Sequence, residues 1–277
     1  MMDSNIKKLQ KVNIEMLGCI LGIIDKYFLK YYVLGGTMLG AIRHNGFIPW
    51  DDDIDIGLPR RDYEKFLEVA MHELSDSYKI INFHTDPDYH FYITRVQDVR
   101  TKVIEKRFKY ENKFTHASID IFPIDGFPNN LLMRKVHIFR ILMHRAMMSL
   151  HYKEGIDPDR KRSRFERVCL WLLLKLPTDK IFNAFKHKCR IDKLLRKYDM
   201  FDSKFSGNIM GAYRTREIVP TSYYGSDSFY SFENIKLRGF QDYDSYLKQL
   251  YGDYMTLPPE NNRKIHFEII EIDNKAL

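Results

Sequence analysis

Two neighbouring stretches constrain this chain most: Val33-Leu34-Gly35-Gly36-Thr37-Met38-Leu39-Gly40 and, shortly after, Trp50-Asp51-Asp52-Asp53-Ile54-Asp55-Ile56-Gly57. They read as a strand, a Gly-Gly turn into a short helix, and a second strand carrying carboxylates. Residues two apart on a strand share a face, so Asp53 and Asp55 project together while Ile54 and Ile56 enter the core. Adjacent carboxylates repel, and without a cation one tends to protonate. A divalent metal removes that repulsion, and hard oxygen ligands suit Mg2+, with Mn2+ as the alternative. Gly35 and Gly36 let the backbone turn where a side chain would clash, and they leave amides open to an anion. A helix beginning near Thr37 adds its N-terminal amides to that site. A phosphate site facing a metal site implies phosphoryl or nucleotidyl transfer.

A bare Asp-x-Asp carries little weight, because Asp86/Asp88, Asp157/Asp159 and Asp242/Asp244 repeat it. The first two have Pro in the middle and read as turns. The stretch 51–55 differs in holding four acids in five residues between apolar Ile48-Pro49-Trp50 and Ile54/Ile56. Asp51 and Asp52 stand at the strand entrance and are secondary candidates. A second acidic strand follows at 117–121, where Asp120, the third candidate carboxylate, sits between Ile119 and Ile121; an acid there must be ligated or paired, since a lone buried carboxylate is costly.

The run Leu34–Gly57 resembles the signature of the LicD family, bacterial transferases of phosphocholine and related phospho-alcohols that are related to the fukutin proteins. Ser118-Ile-Asp-Ile-Phe-Pro-Ile-Asp-Gly126 resembles that family's second acidic strand. Tyr246–Pro259, with Arg263 and His266 after it, resembles its closing motif. The resemblance implies an α+β fold of the nucleotidyltransferase superfamily, a mixed sheet flanked by helices, here with a helical basic insert. It further implies a CDP-alcohol donor and, as acceptor, a hydroxyl of a cell-surface glycan or its lipid-linked precursor. Asp53, Asp55 and Asp120 would then be the catalytic and metal-binding carboxylates, with Asp120 also a candidate proton acceptor. Gly35, Gly36, Thr37, Arg43, Arg95 and Arg263 would contact phosphate or nucleotide. His44, Lys102, Arg214, Arg216 and His266 are further candidates. Two rivals stay open: a nucleotidyltransferase making a CDP- or UDP-compound, and a non-catalytic scaffold that binds membrane or partner.

The remaining sequence bounds the setting. A 44% hydrophobic and 14% aromatic content over 277 residues specifies a folded chain with a sizeable core. The net charge of +7 suits an anionic partner, but no nucleic-acid motif accompanies it. Cys19, Cys169 and Cys189 have neither zinc spacing nor an even count. With no signal-peptide pattern and no apolar run long enough to span a bilayer, the expectation is a cytoplasmic protein, with peripheral contact at the inner membrane face open. Helices are expected at 5–29, 60–74 and 243–251, and strands at 31–34, 79–83, 91–96 and 101–105. Asp125, before Gly126, reads as a turn residue. The expected organisation is a catalytic core over 1–130, a helical basic insert over 131–205 and a C-terminal segment, 206–277, completing the core. The insert reads either as a subdomain with solvated cationic faces or as a surface for anionic lipid or a lipid-linked acceptor.

Overall fold

The structure, a computed structural model, describes residues 2–105, 113–152, 171, 175, 177–260, 263 and 267–272. His266, Cys169 and most of the apolar run 168–174 lie outside the described residues. Helix α1 (Met2–Lys26) buries Leu9, Val12, Met16, Leu17, Ile20 and Ile24 at helical spacing. Each such burial is worth roughly 1.5–3 kcal/mol. Strand β1 (Tyr32–Val33) leads into α2 (Gly35–His44), and β2 (Asp55–Pro59) into α3 (Arg60–Glu73). After β3 (Tyr78–Ile81) come two long strands, β4 (Thr94–Glu105) and β5 (Lys113–Phe127).

These build an eight-stranded mixed sheet with the path β1-β2-β5-β4-β10, where β10 is Phe267–Ile272. The pair β2–β5 is parallel, with Asp55 beside Asp120, and the other pairs are antiparallel. The runs 91–96 and 101–105, read as separate, merge into β4. Its register shifts between Asp98 and Lys102, where Asp98 Oδ1 accepts from both the backbone N and the Nε of Arg100 at 2.9 Å. Such a bulge bends a strand without ending it. The first half of β4 pairs with β3 and the second with β10, so the sheet curls. The end of β5 pairs with β6 (Phe205–Gly207), which pairs with β7 (Ile218–Pro220). Asp125 is therefore a strand residue and not a turn residue: it is buried, and burial requires its pairing with Arg60.

Two core clusters divide the interior. The larger packs α1, α2 and α3 on the sheet and takes Tyr246, Leu247 and Leu250 from α7 (Tyr243–Tyr251). The second gathers Phe83, Tyr92, Phe127 and Ile209 with Ile141 of α4 (Leu131–His151) and Ile191 of α6 (Ala184–Leu195). The single turn Thr178–Ile181 forms α5, and β8 (Ser228–Phe232) with β9 (Ile235–Gly239) makes a separate hairpin.

Buried His137 sits edge-on between Phe127 and Tyr198, and its Nε2 has no hydrogen-bond partner. Burial, then Lys197 and Arg140, hold its pKa down at about 4. The unfolded chain titrates near 6.5. Between those values the unfolded state binds the extra proton, so stability falls as pH drops through that window. Lowering pH from 7 to 4.5 is expected to cost on the order of 2–3 kcal/mol through His137. Urea unfolding of His137→Leu across the same range should show a correspondingly flatter dependence.

Candidate active site

Burial alternates from Asp51 to Ile56. Asp51, Asp53 and Asp55 are partly buried, while Asp52, Ile54 and Ile56 are fully so. The two-residue period of a strand thus begins four residues before β2 itself and lays three carboxylates along one side. Two amides of α1 hold this stretch: Gln10 Nε2 donates to Asp51 O and Asn13 Nδ2 to Asp52 O, both at 2.9 Å. Asp52, buried between its neighbours, accepts Phe267 N through Oδ2 at 2.6 Å and so fastens β10 to the acidic stretch.

Oxygens of Asp51, Asp52 and Asp53 lie within 4.8 Å of one another and could hold a metal ion. Burial, followed by the charges of Asp53, Asp52 and Asp55, pushes the Asp51 carboxyl well above the ordinary carboxylate range. Acids this close need a cation or a proton, and an all-oxygen donor set fits a hard divalent ion.

The Gly-Gly turn forms the opposite wall. Gly35 takes φ +49, and an added Cβ there would lie 3.2 Å from Asp55 Oδ2; at Gly36 it would lie 2.8 Å from Asp51 Oδ2. Helix α2 starts at Gly35, two residues earlier than read from sequence, and Leu34 gives it no side-chain cap. The Gly35 amide donates to the Tyr246 hydroxyl at 2.9 Å. The amides of Gly36 and Thr37 stand in the first helical turn, where an anion is favoured. Thr37 Oγ1 accepts the Asp55 amide at 2.9 Å, tying helix to strand. Gly36→Ala is expected to displace the Asp51 carboxylate and lower turnover roughly ten- to hundredfold with less than about 1 kcal/mol lost in stability. Gly18→Ala on α1, where a Cβ meets nothing within 4 Å, is the control and should gain about 0.5–1 kcal/mol.

Asp120 stands next to Asp55 across the parallel pair, and its backbone N donates to Ile54 O at 3.0 Å. Arg95, opposite it on β4, donates Nε to Asp120 Oδ1 at 2.9 Å and uses both Nη atoms on Glu105. Burial would lower the Arg95 pKa, but Asp120, Tyr89 and Glu105 together raise it. The expectation that Arg95 meets a phosphate is therefore corrected. It is fully buried, and it serves as counter-ion to the third acid.

The other cations separate by place. Arg263 lies 4.5 Å over the ring of Trp50, the residue before Asp51, at the rim of the acidic stretch. Arg43 and His44 end α2, away from the Gly-Gly turn; Arg43 donates to Tyr254 O at 2.6 Å and to His44 Nε2 at 2.9 Å. Arg216 donates to Leu250 O, and Arg214 holds φ +53 beside it in the turn Arg214–Glu217. Lys102 is not brought to the site: it pairs on the surface with Glu271, its cross-strand neighbour.

A tyrosine wall escaped the sequence reading. Tyr246 bonds Gly35, and a Cβ on Gly35 would lie 3.8 Å from the Tyr251 hydroxyl. Tyr213 meets Tyr251 edge to face at 5.0 Å. Burial keeps all three phenols raised and neutral, with the Asp55 charge acting in the same direction. Glu217, pushed up to about 8 by burial, accepts Tyr213 N at 2.9 Å and holds this wall from behind.

Acids on a parallel strand pair face a glycine-built helix start, an α/β arrangement that could hold an anion beside a cation. Residues 29–171, just over half of the chain, match the LicD/FKTN/FKRP nucleotidyltransferase domain, and the chain belongs to this LicD family. It is 28% identical over 94% of its length to the lipopolysaccharide cholinephosphotransferase LicD of Haemophilus influenzae, covering 95% of that protein. Over 39 residues it is 41% identical to the ribitol 5-phosphate transferase FKRP of Homo sapiens and of Mus musculus, a match to 14% of this chain and 8% of each of those.

Proposed function

We propose that this protein moves a phospho-alcohol group, phosphocholine or a close analogue, from a CDP-activated donor to a hydroxyl of a cell-surface glycan or its lipid-linked precursor. It is a phosphotransferase of the LicD type. The observation that carries the reading is the row of carboxylates at 51, 53 and 55 closing on a Gly-Gly helix start, so that anion-binding amides face clustered acids. The near full-length likeness to a cholinephosphotransferase and the local likeness to a ribitol-phosphate transferase support the kind of group carried.

Asp53 and Asp55, with Asp51 and Asp120 beside them, would hold Mg2+ or Mn2+, which when bound supplies charge neutralisation at the donor phosphates. Gly36 and Thr37 bind a phosphate oxygen through their amides, and Arg263 offsets charge at the rim. Asp120, balanced by Arg95, keeps Asp55 in place across the strand pair. The attacking hydroxyl gives its proton to a carboxylate of this set, and CMP leaves. Catalysis is then mostly positioning and charge stabilisation.

The test is to incubate the protein and magnesium with a panel of CDP-alcohols and follow CMP, with and without lipid-linked glycan. CMP from one donor, lost with EDTA, is expected. Pyrophosphate from CTP plus a phospho-alcohol, with no CMP from any donor, would move the assignment to a nucleotidyltransferase.

A further inference from the structure

Helix α4 is apolar on two opposite faces. One face, with His137, Ile141 and Met148, is buried in the second core cluster. On the other, Leu132, Val136 and Phe139 follow one another at i, i+4 and i+7 and are 71%, 51% and 65% exposed. Three large apolar side chains in two turns, unburied, form the kind of patch that soluble surfaces avoid. Helix geometry puts Lys135 on one flank of this stripe and Arg140 on the other, and both are exposed.

The cationic border continues onto α6. Arg140 acts electrostatically on both His137 and His144 of α4; Lys197, just beyond α6, acts on the first, and Arg190 of α6 on the second. The two helices are locked by a 3.0 Å contact between His144 Nδ1 and His187 Nδ1. Arg190 and Lys197 are exposed, as is Lys193 between them. An apolar stripe edged by long cationic side chains is complementary to one kind of surface, acyl chains beneath anionic headgroups, into which such a face dips while Lys and Arg reach the phosphates. Among the described residues no helix is long and apolar enough to cross a membrane, so this face would lie on a bilayer and not span it.

We infer that the outer face of α4, with the neighbouring cations of α6, docks this protein on an anionic bilayer surface. The same helix reaches the catalytic side, because Arg145 Nη1 donates to Ile209 O at 2.7 Å and to Gly211 O at 3.2 Å, at the start of the loop that carries Tyr213. Docking by α4 would therefore hold the site near substrates anchored in that surface. The inference does not depend on the proposed reaction, since its test measures binding alone.

The test is co-flotation of the full chain with vesicles of phosphatidylglycerol and phosphatidylcholine, against phosphatidylcholine alone. Binding to the anionic vesicles is expected to exceed binding to the neutral ones by roughly tenfold or more and to weaken in high salt. The combined variant Leu132→Glu/Val136→Glu/Phe139→Glu should lose about tenfold or more of that binding while keeping its far-UV circular dichroism. Should it misfold, Lys193→Glu, which touches only the exposed border, reads the same loss at about five- to tenfold. Equal binding to both vesicle types, or variants that float like wild type, would overturn the inference. So would light scattering that finds a dimer split by Val136→Glu, because a second copy would then occupy the face.

Discussion

Asp55→Asn is expected to cut turnover on the order of a thousandfold or more while the protein stays folded. The two halves of that expectation have separate causes. Asp55 is partly buried, and its backbone is fixed independently of its carboxylate: Thr37 Oγ1 accepts its amide and Leu34 N donates to its carbonyl. An amide side chain leaves both bonds in place. It also removes one negative charge from a group in which Asp51 already feels Asp53, Asp52 and Asp55. Unfolding by urea should therefore show a stability unchanged or raised by up to about 1 kcal/mol, the usual opposition between a site's function and its comfort.

Asp52→Asn separates the cluster's two duties. Asp52 accepts Phe267 N at 2.6 Å, and replacing the carboxylate by an amide trades a charge-assisted bond for a neutral one, so the hold on β10 weakens in a way that Asp55→Asn does not share. A second readout is independent of turnover: magnesium should raise the melting temperature of the wild type, since a bound ligand stabilises the native state by mass action, and this rise should vanish in Asp55→Asn. A folded Asp55→Asn protein that keeps more than a tenth of wild-type turnover would remove the carboxylate row from the mechanism.

What could be read from sequence was local. The alternation of acid and apolar residues from 51 to 56 survives into the structure because period two is a property of the extended chain itself. Helix α7 falls at the expected residues 243–251, bounded by the Asp242 side chain that accepts Ser245 N and by Gly252 at φ +73. The missed features depend on contacts between distant positions. Arg95 on β4 does lie near the acids, but its burial follows from Glu105 reaching it across a bulge that no hydrophobic pattern announces. The tyrosine wall joins positions 213, 246 and 251 to Gly35 and Asp55; Tyr246 and Tyr251 lie in the run read as a closing motif, but among 18 tyrosines nothing in the sequence directs these three to the Gly-Gly turn. Helix α1, read as packing alone, proves to hold the acidic stretch through Gln10 and Asn13, because an amide on a helix reveals its target only when the chain returns to it.

The same reasoning picks out the position whose loss should cost most stability, Asp125→Ala. Asp125 is buried at the end of β5 and takes a bidentate pair from Arg60, with Nε to Oδ1 at 2.7 Å and Nη2 to Oδ2 at 2.6 Å. Arg60 opens α3 and also reaches Asp192 of α6 at 3.3 Å and the Tyr92 hydroxyl at 3.3 Å, so three elements meet on one guanidinium. Burial raises the Asp125 carboxyl even against Arg60, while on Arg60 the acids and Tyr92 outweigh burial and raise its pKa. Both directions describe a pair that is costly to bury and costlier to break. Asp125→Ala should lower stability by about 3–5 kcal/mol, because Arg60 is left buried without its bidentate partner, with Asp192 and the Tyr92 hydroxyl each at 3.3 Å. The double variant Arg60→Met/Asp125→Leu should recover most of that loss, since apolar side chains of similar volume carry no desolvation cost. The remaining deficit measures what Arg60 contributes by holding α6 through Asp192, a carboxylate that keeps Arg196 as a second partner at 2.5 Å. Urea midpoints of the wild type, the single and the double variant give all three quantities. A single variant that loses less than about 1 kcal/mol would mean that Asp192 alone neutralises Arg60, and that β5 and α6 are joined by their apolar contacts instead.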